Sequence, residues 1–452
     1  MTAFITLIIG ILSVMLFRYA AGTLSLGKLN LVSYSFYLIM LQAYMGCVLV
    51  SCGFDKHYTL DYLLDRYSIV VATNMLWILM LLMPLVMLAV YKVFRFDPRK
   101  EFSNYLNREI VEKDDRLLFI VFAGTTVIQL VLLAILIRSI GYVPFLKIIH
   151  HEADFDFATE RIRIQGITAL GSGLVTNLIV KLGIPLVSYI AFAYAFINKR
   201  ARWIVLAVVS LCMGVVVKTL DFSKSPLAFY FLIFVFILIY SKKGGIKDRV
   251  VMIFIAAMAG LLAAVYIVQG YSGSFLDIYN GILGRTLFTQ FGTLCYHFDL
   301  FPKVFPFLAG RSLSPTILKI IGIDPALHLR SARLVMAYYG IEKVYDGKAG
   351  VMNTIYMGEA YANWGTYGAI LAVIFVGIYI ALFFVAFSRM RKTPLSIALY
   401  AFFTQTIGAM TQGGFTDFIY SSTIILVAAF GLVFMNYKKI LNASRHGDKR
   451  TT

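Results

Sequence analysis

About eleven apolar runs punctuate this chain, near residues 3–17, 29–52, 67–91, 117–137, 172–197, 203–219, 226–240, 250–270, 360–387, 394–411 and 418–436. Each approaches the roughly 20 residues that a helix needs to cross a bilayer. Most connections between them are short and polar. Two are long: residues 138–171, rich in ionisable groups, and residues 271–359, which contain no continuous apolar run. The pattern predicts an all-α polytopic membrane protein with about 11 transmembrane helices. It divides the chain into 1–270, with the first eight spans and the loop 138–171; a large segment 271–359 of short amphipathic helices; and 360–452, with the last three spans and a tail.

Composition agrees. Of 452 residues, 60% are hydrophobic and 14% charged, and the mean hydropathy of +0.81 is too high for a soluble globular chain. The formal net charge of +18 raises nucleic acid as a partner, and its distribution removes that reading. The connections 18–28, 92–116, 198–202, 241–249 and 388–393, with the tail from 437, carry about 24 basic against about 8 acidic residues, which is the bias of cytoplasmic loops. The other connections are close to neutral. The N-terminus and both long connections are therefore expected outside, and the C-terminus in the cytoplasm. Residues 2–17 lack a basic leading region and a small-residue cleavage site, so they read as a first span and not as a cleavable signal. Cys47, Cys52, Cys212 and Cys295 follow no CxxC pattern and are expected to be buried small hydrophobes. No internal repeat or low-complexity tract is visible.

Candidate chemistry sits in the outer segments. Residues 282–298 place apolar side chains at 283, 287, 291, 294 and 298, close to helical spacing, interrupted by Arg285 and Gln290. This predicts a helix lying on the membrane surface, with His297 near its end. Prolines at 302, 306, 315 and 325 then break the chain, and a second amphipathic piece at 327–339 carries His328, Arg330 and Arg333. Together with Arg161, Arg163 and Arg311, these arginines are expected at headgroup level. A guanidinium there either grips phosphate oxygens or anchors a surface helix to lipid. Asp154 and Asp156, near His150 and His151, form a short Asp-x-Asp pattern that reads as a solvated loop before it reads as a metal site. Lys181 within a span, with Lys218 and Lys224 around the hairpin 219–226, are either snorkelling anchors or partners of another group.

The most specific stretch is Met357-Gly358-Glu359-Ala360-Tyr361-Ala362-Asn363-Trp364-Gly365-Thr366-Tyr367-Gly368. On a continuous helix Glu359, Asn363 and Thr366 form one polar stripe, beside glycines that permit close helix approach. A carboxylate there binds sugar hydroxyls or takes a proton from one; the bland alternative is an acidic helix start that complements the dipole.

At Arg161 and Arg163, the hairpin Phe222-Ser223-Lys224-Ser225-Pro226, Gly284-Arg285 and the run from Asn353 to Gly368, the chain resembles O-antigen polymerases of the Wzy type, the oligosaccharide repeat-unit polymerases of the O-antigen polymerase and ligase superfamily. The resemblance implies a glycosyltransferase of the bacterial inner membrane, independent of metal and cofactor, acting at the periplasmic face in lipopolysaccharide or related polysaccharide biosynthesis. It would transfer a glycan from undecaprenyl pyrophosphate to a sugar hydroxyl on another lipid-linked unit, with a chain-length regulator as partner. On matching positions, Arg161, Arg163, Arg285, Lys224 and Arg333 would hold pyrophosphate, Arg161 and Arg285 stabilising the leaving charge. Glu359, Tyr361 and Asn363 would face the sugars, and Glu359, His297 and His328 are three candidates for the base. The chain departs from the family in its first outer loop, where the arginine and glycine spacing is not clean, and in its span count, since twelve is common there.

Two rivals stand beside this reading. A ligase uses the same donor with a lipid A core acceptor. A transporter or flippase is expected to show inverted repeats and ionisable groups near the midplane. On the polymerase reading, Arg285→Ala and Arg161→Ala abolish polymerisation and leave expression intact.

Overall fold

The computed structural model describes residues 1–112, 114–149, 155–169, 173, 176–223, 225–268, 273–347 and 349–447. Among these, secondary structure is helical and no strand occurs. Among the described residues, nine helices are long and apolar enough to cross a membrane. The two other expected spans are the shorter apolar helices Ser225–Ser241 and Pro394–Met410. Each apolar run in the sequence therefore has its helix, and the all-α polytopic architecture stands.

Helix ends follow local chemistry. Asn30 precedes Leu31–Ile39, and its Oδ1 accepts the amides of Val32 and Ser33 at 3.0 and 3.1 Å while Ser33 Oγ accepts the Asn30 amide at 2.9 Å. This reciprocal cap satisfies donors that have no partner within the helix. Asp115 caps Arg116–Ile140 in the same sense, accepting Leu118 N at 3.1 Å.

Contacts resolve the chain into two compact units: Met1–Asn104, Lys247–Arg389 and Thr404–Tyr420 form the first, and Tyr105–Ile246, Met390–Phe403 and Ser421–Thr452 the second. In the first unit, Tyr67–Val93 packs against both Thr2–Ala21 and Tyr356–Arg389. The helix Ile282–Leu300 is enclosed by Met45–Ser51, Tyr67–Val93 and Tyr356–Arg389, and residues 291–300 are buried without interruption. The expected surface helix is thus an interior one over its second half. Its polar groups find partners inside: the buried Asp299 accepts the amides of Leu64 and Asp65 at 2.6 and 3.0 Å and the Tyr339 hydroxyl at 2.6 Å, as burial of a carboxylate requires.

In the second unit, Ile184–Asn198 and Ala201–Thr219 pack along each other, and Leu133, Leu136, Ile184, Met213, Val217 and Phe222 belong to one apolar core. Asp114 gathers Arg202 at 2.6 Å, Arg200, and the Trp203 indole N–H at 3.0 Å. Cys47 and Cys295 are buried as expected, whereas Cys52 and Cys212 are exposed, so the reading of all four as buried is corrected for those two. An apolar run marks a span but does not say which of its faces meets protein.

Candidate functional site

The helix Tyr356–Arg389 is broken about a quarter of the way along. Trp364 (φ −136°, ψ 17°) and Gly365 (φ 66°, ψ −158°) leave helical geometry, and the second conformation is one that essentially only glycine adopts. The freed carbonyls of Ala362 and Asn363 accept the amides of Leu308 and Ala309 at 2.9 and 3.0 Å. Asn363 Oδ1 accepts the amides of Gly310 and Ser312 at 3.0 and 3.4 Å, and its Nδ2 donates to the Glu359 carbonyl at 2.8 Å. The break therefore stitches residues 308–312 to the helix, with the Asn363 amide as the brace. It also ends the expected polar stripe: Glu359 and Asn363 are buried, but Thr366, beyond the break, is exposed.

One turn before the break lies Glu359, only 3% exposed. Its Oε2 accepts the Thr416 amide at 3.0 Å and the Thr416 hydroxyl at 2.9 Å. Its Oε1 faces Arg330 Nε at 3.9 Å, too far for a hydrogen bond. Arg330 Nη2 stands 3.6 Å from Asp417 Oδ2, and that oxygen accepts the Gly414 amide at 3.2 Å. Arg330 Nε is itself buried and has no hydrogen-bond partner among the described residues.

Two glycines make this closeness possible. A Cβ on Gly414 would overlap Glu359 Oε2 and stand 2.9 Å from Arg330 Nη2. A Cβ on Gly358 would overlap Thr354 Cγ2 and stand 3.3 Å from His297 Cγ. Gly358 thus admits the helix Ile282–Leu300, and Glu359, next in sequence, meets the loop 414–417.

His297 anchors the opposite side. Its Nδ1 lies 2.8 Å from the Thr293 carbonyl, which only accepts, so Nδ1 donates and Nε2 is left to accept from the Ser331 hydroxyl at 3.2 Å. Burial pushes its pKa down to about 4, so the ring is neutral near pH 7. It holds Ser331, the first residue of Ser331–Tyr339 and the neighbour of Arg330. The half-buried His328 donates from Nδ1 to the Leu313 carbonyl at 2.8 Å. The Tyr361 hydroxyl donates to the Phe301 carbonyl at 3.2 Å, and its ring packs on Phe298 and Phe307. Arg285 and Arg333 are exposed, and their side chains form no hydrogen bond or ion pair among the described residues.

The structure brings Glu359 and Asn363 together, places Arg330 against Glu359, and sets His297 beneath them. Arg161 and Arg163 belong to the second unit. Arg161 Nε donates to the Asp221 carbonyl at 2.9 Å. Arg163 Nε donates to Glu160 Oε1 and Oε2 at 3.1 and 2.8 Å, its Nη2 donates to the Ile140 carbonyl at 3.0 Å, and its guanidinium lies 5.7 Å from the centre of the Tyr142 ring. Asp156 accepts the amide and hydroxyl of Thr159 at 3.3 and 2.8 Å, at the start of Phe157–Ala169. Lys181 Nζ donates to Thr168 Oγ1 at 3.1 Å. Lys224, His150, His151 and Asp154 lie outside the described residues. Among the described residues, no group of three or more His, Cys, Asp or Glu side chains converges on a metal-sized site.

Sequence reasoning passed over Gly414, Thr416 and Asp417, and gave Arg330 no role of its own. One signal was available: Thr411-Gln412-Gly413-Gly414-Phe415-Thr416-Asp417 is a short polar loop between two spans, expected on the same side as Glu359. Compared with known proteins, the chain matches no family model, no curated protein and no solved structure.

Proposed function

We propose that this chain is a membrane glycosyltransferase that joins oligosaccharide repeat units carried on a lipid pyrophosphate, at the periplasmic face of a bacterial inner membrane. Glu359 is the general base, and the free guanidinium forks of Arg285 and Arg333 grip the donor pyrophosphate. The observation that carries the reading is the half-used carboxylate of Glu359. One oxygen is fixed by two hydrogen bonds from Thr416, while the other faces the Arg330 guanidinium without bonding to it. A base held rigidly by one oxygen and open at the other is positioned for proton transfer. The resemblance of residues 353–368 to repeat-unit polymerases supports the same reading.

The broken helix gives a transporter its strongest argument, because discontinuous helices line transport sites. Here each carbonyl freed by the break already accepts an amide, from Leu308 or Ala309, so the break is accounted for by a contact within the fold.

Purified protein in liposomes, supplied with a defined lipid-linked repeat unit, is the test. The proposal expects a ladder of lengthened lipid-linked glycans and release of lipid pyrophosphate. Movement of the substrate across the bilayer with no joining would overturn it. In cells, deletion should leave single-unit glycans; survival of long lipid-linked chains with loss of glycan from lipid A would make the protein a ligase.

A further inference from the structure

The joining reaction needs two subsites, one for the donor pyrophosphate and one for the acceptor hydroxyl. The geometry separates them. Resting on the reading above, we propose that Glu359, Arg330 and Asp417 form the acceptor subsite, which takes a neutral sugar hydroxyl and rejects pyrophosphate.

Two observations carry this. The first is complementarity. Glu359 Oε1, on a side chain only 3% exposed, receives no hydrogen bond among the described residues, and Arg330 Nε is a buried donor that gives none there. They stand 3.9 Å apart. A hydroxyl is donor and acceptor at once, so one oxygen about 2.8 Å from each atom satisfies both groups at the apex of a narrow triangle. A phosphate oxygen accepts only, and leaves Glu359 Oε1 without a donor.

The second observation is charge. One guanidinium stands between two carboxylates, Glu359 at 3.9 Å and Asp417 at 3.6 Å, which leaves the cluster net negative with all three groups ionised. A pyrophosphate placed there meets two like charges at close range, which disfavours it. Arg285 and Arg333, in the same unit and with no acidic partner among the described residues, have the opposite character. Gly414 maintains the arrangement, since any side chain there collides with both Glu359 and Arg330.

The reaction then balances as follows. The acceptor hydroxyl gives its proton to Glu359 Oε1 as its oxygen bonds to the anomeric carbon of the donor. The bond from that carbon to the pyrophosphate oxygen breaks, and its electron pair leaves with the lipid pyrophosphate. Arg330 is a positioning residue that orients the hydroxyl, Asp417 fixes the guanidinium, and Glu359 is the catalytic residue.

The experiment uses the full-length purified protein with the lipid-linked repeat unit as donor and the same repeat unit on an alkyl glycoside as acceptor. The glycoside has no pyrophosphate, so it accepts but cannot donate. Asp417→Asn and Arg330→Lys should raise the KM of the glycoside about tenfold, the size expected for one misplaced polar contact, and leave the donor KM within about twofold. Arg330→Ala should cost more, with Arg330→Lys recovering part of the loss. A raised donor KM with an unchanged glycoside KM in these variants would overturn the assignment. A wild-type measurement makes the test independent of variant folding: inorganic pyrophosphate should compete with the donor and not with the glycoside, and competition with the glycoside also overturns it. A wild-type protein that joins no units at all contradicts the proposed function instead, so the two failures are distinguishable.

Discussion

Arg163 and Arg330 both stand beside acidic side chains, and they differ in what they leave unused. Arg163, on the helix Phe157–Ala169, is half exposed and its donors are taken by Glu160 and the Ile140 carbonyl. Arg330 has a buried Nε with no hydrogen-bond partner among the described residues, 3.9 Å from the Glu359 carboxylate oxygen that Thr416 leaves unused. A committed pair at a surface contributes little, typically 0 to about 1 kcal/mol. A buried polar atom left unpaired costs about 1–3 kcal/mol, a cost that a ligand group bonding to it removes. The presence of an arginine beside an acid is therefore a poor guide to function, and the state of its hydrogen bonds a better one.

That contrast can be sharpened or broken by measurement. The largest effect belongs to Glu359→Gln, which keeps an oxygen for Thr416 and removes the base. It should lower turnover by about 10²- to 10⁴-fold with little change in melting temperature, and retained turnover breaks the comparison.

His297 tests the support beneath the cluster. Its folded pKa lies near 4 against 6.5 for the free group, so between those values the unfolded chain binds a proton that the folded one does not. Stability is full above about pH 6.5 and falls as the pH drops toward 4, by up to about 3 kcal/mol. Thermal unfolding in detergent at pH 7.5 and pH 5 should show the slope, and His297→Asn should remove this group's share of it.

Gly365→Ala comes next. A side chain in that backbone conformation costs about 1–3 kcal/mol, and its Cβ would stand 3.2 Å from the Phe307 ring. Both melting temperature and turnover should fall, because residues 308–312 lose their seat; an unchanged melting temperature would argue against the break. The smallest effect is expected for Arg163→Ala, with stability shifted by no more than about 1 kcal/mol and turnover nearly normal. A loss of turnover as large as that of Glu359→Gln would place function where the structure shows committed pairs.

Much of the helical architecture was legible in the sequence, because span length is a local property. The neighbourhood of Glu359 and Asn363, one turn apart on the same helix, was legible too. The rest depended on distant residues. Thr416 lies far along the chain from Glu359, and no periodicity connects a Gly-Gly-Phe-Thr-Asp loop to a helix start before it. The stripe through Thr366 failed because Gly365 turns the chain at a position where a regular helix was assumed. The helix at 282–298 read as amphipathic and surface-bound because Arg285 and Gln290 interrupt its apolar spacing, yet its second half is interior, with His297 and the following Asp299 buried and their partners supplied by residues 64, 65, 331 and 339. Polar residues in an interior helix look like an exposed face until those partners are known.

The most direct test of the account is elongation of a lipid-linked repeat unit in proteoliposomes containing either the wild type or Glu359→Gln at matched thermal stability. A product ladder from the wild type and single units from the variant is the predicted result. Ladders of equal length and rate from both would contradict the claim that this half-bonded carboxylate performs the joining chemistry.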